Sequence, residues 1–220
     1  MLYSFAVLHL FFCRGFWKGR SMQIEHSLIE HSLIEHGAPT LAGLKTANLF
    51  PVKMEGEDVI LSLRRVNRIL NRKGIKAIPM KKKQDSILLY LFRPDRLEED
   101  LNQPETVCML KEMGYPCGRM DLCISCLVRH LKEDDSFPHE IGLFLGYPPS
   151  DVKSFMNSQR DGVKCTGCWK AYSNQEEAER TFEKYRKCTR AYRMEMRKGR
   201  SLESLVVETT GQKRLRAVDR

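Results

Sequence analysis

Apolar residues recur at Val59, Ile60, Leu63, Val66, Ile69 and Leu70 along residues 58–71, and Gly74 follows as a stop. Spacings of three and four turn one helical face toward a core. Beyond that helix the period shortens. Residues 75–80 and 86–92 are compact apolar runs separated by the polar stretch 81–85, which predicts two strands closed as a hairpin. Upstream, residues 40–50 read as a turn leading into a first strand. An N-terminal helix precedes it, built on a duplication, because residues 24–36 repeat Ile-Glu-His-Ser-Leu. A period of five matches neither helix nor strand, so His26, His31 and His36 spiral around the helix instead of converging as metal ligands. Gly37 and Pro39 are expected to end this helix.

Pro94 and Pro104 mark further helix starts. Helical periodicity then runs to residue 157 with breaks at Gly114, Pro116, Gly118, Pro138, Pro148 and Pro149, which predicts four or five short helices. A last strand is expected over 163–172. Asn174 and Glu177 fit a capping box for a long final helix that carries Ala178, Phe182, Tyr185, Tyr192 and Met196 on one stripe. The resulting order, β-α-β-β-(helices)-β-α, predicts an α+β fold. It comprises a small mixed sheet of about four strands in ferredoxin-like split βαβ order, a helical insertion and a long C-terminal helix. A mixed α/β sheet is the alternative.

With 220 residues, 42% of them hydrophobic, the chain is long enough for one sizeable core. Residues 22–198 are expected to form a single α+β domain between a leader (1–21) and a basic flexible tail (199–220). The leader is apolar, yet shorter than the roughly 20 residues that a bilayer span needs. Its charges follow the apolar run, where a signal peptide carries them in front. Lys18-Gly19-Arg20-Ser21 can be encoded by a purine-rich stretch like a ribosome-binding site, so the expected start is Met22, with 1–21 a mis-annotated start or a disordered leader. The formal charge of +9 also sits at the ends: residues 1–21 carry +3 and residues 197–220 carry +4, leaving +2 between them. A nearly neutral body and a solvated basic tail make nucleic acid an unfavoured partner, with binding through the tail kept as the third functional reading.

Eight cysteines in clustered spacings suit reduced thiols in a cytoplasm better than an extracellular disulfide scaffold. Cys165 and Cys168 have the C-x-x-C spacing that lets two thiolates meet one metal, and Cys188 on the final helix is the candidate third ligand. Cys117, Cys123 and Cys126, with His130 one helical turn further on, form the alternative set. Zinc or iron is the implied metal. His139 beside Glu140 suggests acid–base work, although Leu143 breaks the H-E-x-x-H zincin pattern. Gly43, Lys45 and Thr46 lack the spacing of a phosphate loop, so no nucleotide site follows from them. Trp169, Tyr172 and Tyr185 read as core aromatics.

Three stretches carry a resemblance: 36–50; FPHEIGLFLGYP over 137–148 with Asp151 and Val152; and CWKAY over 168–172 with Lys187, Cys188 and Thr189. Over about 36–192 the chain resembles an uncharacterised bacterial family, found mainly in anaerobic Firmicutes and catalogued as a domain of unknown function. No catalytic residue comes with the resemblance. It implies a setting in metal or redox physiology, since such genes can lie near flavodoxin and ferrous-iron transport genes. The leading expectation is therefore a cytoplasmic accessory protein, off the membrane, that serves a redox or metal-handling partner through its cysteines. The alternative is an enzyme with His139, Glu140 and Lys45 around one pocket.

Overall fold

A computed structural model describes residues 27–53, 59–133, 137–158 and 161–209. The expectations for residues 1–21, His26 and the end of the basic tail lie outside these.

Helix α1 (Leu28–Leu41) starts at a reciprocal cap in which Ser27 Oγ accepts from the Glu30 amide and Glu30 Oε2 accepts from the Ser27 amide. It does not stop at Gly37. Pro39 lies inside its last turn, where a missing N–H removes only one helical hydrogen bond. Gly37 serves packing instead: a Cβ there would lie 2.5 Å from Leu91 Cδ2, so the bare Cα lets α1 settle against the sheet. The histidine repeat diverges as its period requires, with His31 exposed and His36 half-buried against the Phe50 ring.

Strands β1 (Ala47–Lys53), β2 (Lys76–Lys82) and β3 (Ser86–Phe92) form one sheet in the order β1-β3-β2, with β3 antiparallel to both neighbours. β1 and β2 therefore run parallel on either side of β3, joined by helix α2 (Val59–Arg72), which is the split βαβ arrangement. Strand alternation sorts the core into two layers. Phe50, Val52, Ile87, Leu89 and Leu91 face α1 and α2, whereas Ala47, Leu49, Tyr90 and Phe92 face the helical insertion.

That insertion comprises α3 (Pro94–Leu101), α4 (Pro104–Glu112), α5 (Met120–Glu133), α6 (Ile141–Phe144) and α7 (Pro149–Ser158). Proline opens α3 and α4, where its fixed φ suits the first turn. Tyr90 reaches out of the sheet and donates its buried hydroxyl to the Phe144 carbonyl at 2.6 Å.

The α+β class and the long C-terminal helix, α8 (Gln175–Arg197), are as expected. The strand expected over 163–172 is a separate small hairpin, β4 (Cys165–Thr166) with β5 (Lys170–Ala171), so the main sheet has three strands. The run reverses at Gly167, whose amide donates to the Trp169 carbonyl and whose Cα lies on the Phe182 ring of α8. A Cβ at that position would stand 2.2 Å from the ring.

Nor is 199–209 a loose tail. Ser201 caps a short helix α9 (Leu202–Leu205), and Leu202, Leu205 and Val206 are buried in the α1–α2 layer. Past them the Val207 amide donates to the Leu41 carbonyl and the Thr209 amide to the Lys73 carbonyl. Apolar side chains in register with an open part of the core override the basic composition around them. Among the described residues no helix is long and apolar enough to cross a membrane.

Substituting Gly37→Ala tests the closeness of helix and sheet. Helix propensity alone favours Ala by about 1 kcal/mol. The contact with fully buried Leu91 reverses the sign, and urea denaturation should show a net loss of about 1–3 kcal/mol.

Candidate functional site

The turn between α1 and β1 is held on both sides. The amides of Leu44 and Lys45 both donate to the Pro39 carbonyl, and the Arg93 amide donates to the Thr46 carbonyl. Thr46 Oγ1 in turn donates to Asp100 at 2.6 Å. So clamped, Lys45 is 5% exposed and lines a cavity of about 360 Å³.

Segments far apart in the sequence wall this cavity: His36 from α1, Asn48 and Leu49 from β1, His139 and Tyr147 from 137–147, Phe155 from α7, and Cys168 and Trp169 from the hairpin. All three stretches singled out in the sequence contribute. Gly146 makes the close approach possible, with φ at +71° and a would-be Cβ 2.7 Å from Thr46 Oγ1. The aromatic walls are packed on one another. Tyr147 and Trp169 stack with centroids 5.1 Å apart, and Trp169 meets Phe182 edge-on at 4.6 Å.

Asp151, at the start of α7, fixes the hairpin side. One carboxylate oxygen accepts from Trp169 Nε1 at 2.8 Å, and the other accepts from the Tyr172 and Ser173 amides and the Ser173 hydroxyl. Its 3% exposure is therefore accounted for by hydrogen bonds.

Lys45 is treated differently. Its Nζ stands 4.9 Å from the Tyr147 ring centroid and 6.0 Å from that of Tyr185. Among the described residues no carboxylate lies within ion-pairing distance of it. Burial pushes the amine down from 10.5 to about 8, with the Cys168 thiolate pulling the other way. Burial raises the Cys168 thiol above its ordinary value, against the pull of Lys45 and Arg186. The two groups that share the cavity are thus each disfavoured in their charged forms.

Lys45 and His139 do share one pocket, as the enzymatic reading requires. Glu140 does not join them. It turns into the insertion, where its Oε1 accepts from the Tyr115 hydroxyl at 2.8 Å and faces His130 Nδ1 at 3.1 Å. Consecutive residues at a helix entrance point in different directions, so adjacency in sequence did not give adjacency in the site. His130 also approaches Cys126 Sγ at 3.7 Å through its Nε2.

The described cysteines are free thiols. Among the described residues, no three His, Cys, Asp or Glu side chains are grouped to hold a metal ion, so neither the Cys165, Cys168 and Cys188 set nor the Cys117, Cys123, Cys126 and His130 set is assembled as a site. Cys165 lies on the outer side of the hairpin, along an open groove with Arg180 and Lys184, and Cys188 is half-buried on α8. Tyr147 and Asp151 belong to the stretches that carry the resemblance but have no role of their own from sequence, and Trp169 packs against the core as expected while also walling the cavity. The signal available was the density of aromatic residues and Pro–Gly breaks in 137–148.

A family model described as a protein of unknown function, DUF3793, matches residues 33–206. The chain belongs to this family. The DUF3793 match begins within α1 and ends just past α9, so it takes in every wall of the cavity. Comparison with curated proteins finds no match, and comparison with solved structures finds none.

Burying an unpaired amine has a measurable sign. Below pH 8 both folded and unfolded chains hold the Lys45 proton, and the full desolvation penalty opposes folding. Between about 8 and 10.5 the folded protein sheds the proton first, and stability from this group rises with pH. Lys45→Met should therefore stabilise the ligand-free protein at pH 7 by about 1–3 kcal/mol. The gain should fade by pH 10.5, as read from paired denaturation curves across that range.

Proposed function

We propose that this DUF3793 protein binds a small anionic molecule with a flat apolar body in the Lys45 cavity, and that it does so in the cytoplasm. The observation that carries the reading is a buried ammonium set among aromatic rings with, among the described residues, no carboxylate within ion-pairing distance. A structural lysine is normally paired or carries its charge to water, because an unpaired buried charge is expensive. A ligand carboxylate would supply the missing partner, and the stacked Tyr147 and Trp169 rings would cover its apolar body.

Size narrows the ligand. At the packing density of a protein interior, the cavity of about 360 Å³ holds about 15 non-hydrogen atoms, a substituted aromatic acid more readily than a dinucleotide. Charge narrows it further. Lys170 and Arg186 line the same cavity along with two carboxylates, and the acids are engaged, Asp151 with the hairpin and Glu35 with Arg193, as Arg186 is with Glu183. Free thiols at Cys108, Cys165 and Cys168 suit the proposed compartment. Of the thiol set first considered for a metal, Cys168 keeps a role here as a wall of the cavity; Cys165 and Cys188 are not part of it.

Calorimetric titration with phenylpropanoate, cinnamate and their neutral amides tests this. The acids should bind with Kd of about 10 μM to 1 mM. The amides and the Lys45→Met variant should lose about tenfold or more, as expected for removal of a charge-assisted contact. Tyr115→Phe, on the other side of the insertion, should leave binding unchanged. Equal affinity for acids and amides would overturn the assignment.

A further inference from the structure

The cavity presents an amine under conditions that differ from those of a surface lysine in three respects. Its charge is disfavoured by burial, and among the described residues no carboxylate holds it protonated. The backbone on either side is clamped through Pro39 and Arg93, so the amine meets the cavity from a fixed base. The walls around it are mostly aromatic and aliphatic, which lowers the local water activity that an imine must survive. Desolvation in an apolar pocket is one of the ways a lysine becomes a nucleophile.

We propose that Lys45 is a covalent amine, condensing with the ketone of a small 2-oxo acid that carries an apolar side chain. The inference rests on the binding reading above and names the ligand class for the same site. Lys45 Nζ adds its lone pair to the ketone carbon, and the carbonyl oxygen takes up a proton to give a carbinolamine. The carbon–oxygen bond then breaks, the oxygen leaves as water, and the nitrogen gives up its remaining proton on forming the neutral imine. One amine and one ketone give one imine and one water, with no oxidant or reductant required. Once Lys45 is engaged, the other cations lining the cavity are Lys170 and Arg186, the latter also paired with Glu183. Cys168, held largely as the thiol by burial, and His139 are the cavity groups able to move the proton to the departing oxygen.

The test uses the full chain with phenylpyruvate. Binding is first measured by calorimetry without reductant. The mixture is then treated with cyanoborohydride, which fixes an imine as a stable secondary amine. Intact mass and peptide mapping of the unmodified sequence should show a single adduct on Lys45, heavier by the acid less one oxygen atom. Its formation should outpace that at exposed Lys82 by about tenfold or more and rise through pH 8 as the amine loses its proton. Phenylpropanoate, which lacks the ketone, should compete. Because the adduct is located in the wild-type chain, the result does not depend on how any variant folds.

Phenylpyruvate binding without an adduct at Lys45 would overturn the imine and leave the anion site standing. An adduct at Lys45 forming no faster than at Lys82 would overturn it equally. Neither binding nor adduct would overturn both readings.

Discussion

Arg93 ends the central strand, and its guanidinium, 2% exposed, is where three parts of the chain are tied together. Nε donates to the Thr40 carbonyl, Nη2 to the carbonyls of Leu41 and Val207, and Nη1 to the Thr209 hydroxyl. The planar fork of donors spans acceptors that a lysine could not serve together. It closes the end of α1, fixes the segment after α9, and stands against the Cα of Gly43 in the turn that delivers Lys45. A charge so deeply placed is tolerated because each of its donor nitrogens meets an oxygen. The position of the candidate site is thus set by a residue outside the cavity.

From that anchor the two faces of the sheet acquire different tasks. The α1–α2 face is a closed apolar layer, sealed by Met196 and the α9 side chains. The opposite face carries the insertion, whose short helices leave a cavity where 137–147, α7 and the hairpin meet β1. Five helices, four of them of ten residues or fewer, joined by proline and glycine turns cover a sheet less completely than two of 14 residues, since each turn spends backbone on direction instead of side-chain volume. A cavity on this side is a consequence of how the insertion is built.

The sheet was legible in the sequence because its signals are local. The period of α2, the polar turn between β2 and β3, and the prolines opening α3 and α4 each act within a few residues. What misled were residues whose reason lies elsewhere in the chain. Gly37 reads as a helix stop but answers to Leu91; Gly167 splits an apparent strand because Phe182 needs its face; Leu202, Leu205 and Val206 are held by α1 and α2. The site was half legible for the same reason. Lys45, His139 and Cys168 could be singled out by type, but that Lys45 and His139 meet while Glu140 turns toward Tyr115 depends on the packing of α6 and α7.

The most informative contrast is between two buried ions in one cavity. Asp151 has four donors on its two oxygens, and every one of those bonds shapes the hairpin or the turn into α8. A carboxylate so occupied is explained by the fold. Lys45 has aromatic faces and a thiol near it and, among the described residues, no acceptor that would compensate its burial. Each aromatic face returns only about 0.5–2 kcal/mol, less than the desolvation of an isolated ammonium. A chain selected for stability alone would pair the amine with one of the carboxylates lining the cavity, Asp151 or Glu35, or replace the lysine with methionine. Keeping the acids committed to the scaffold and the amine uncommitted is the arrangement expected when the amine's partner arrives from outside.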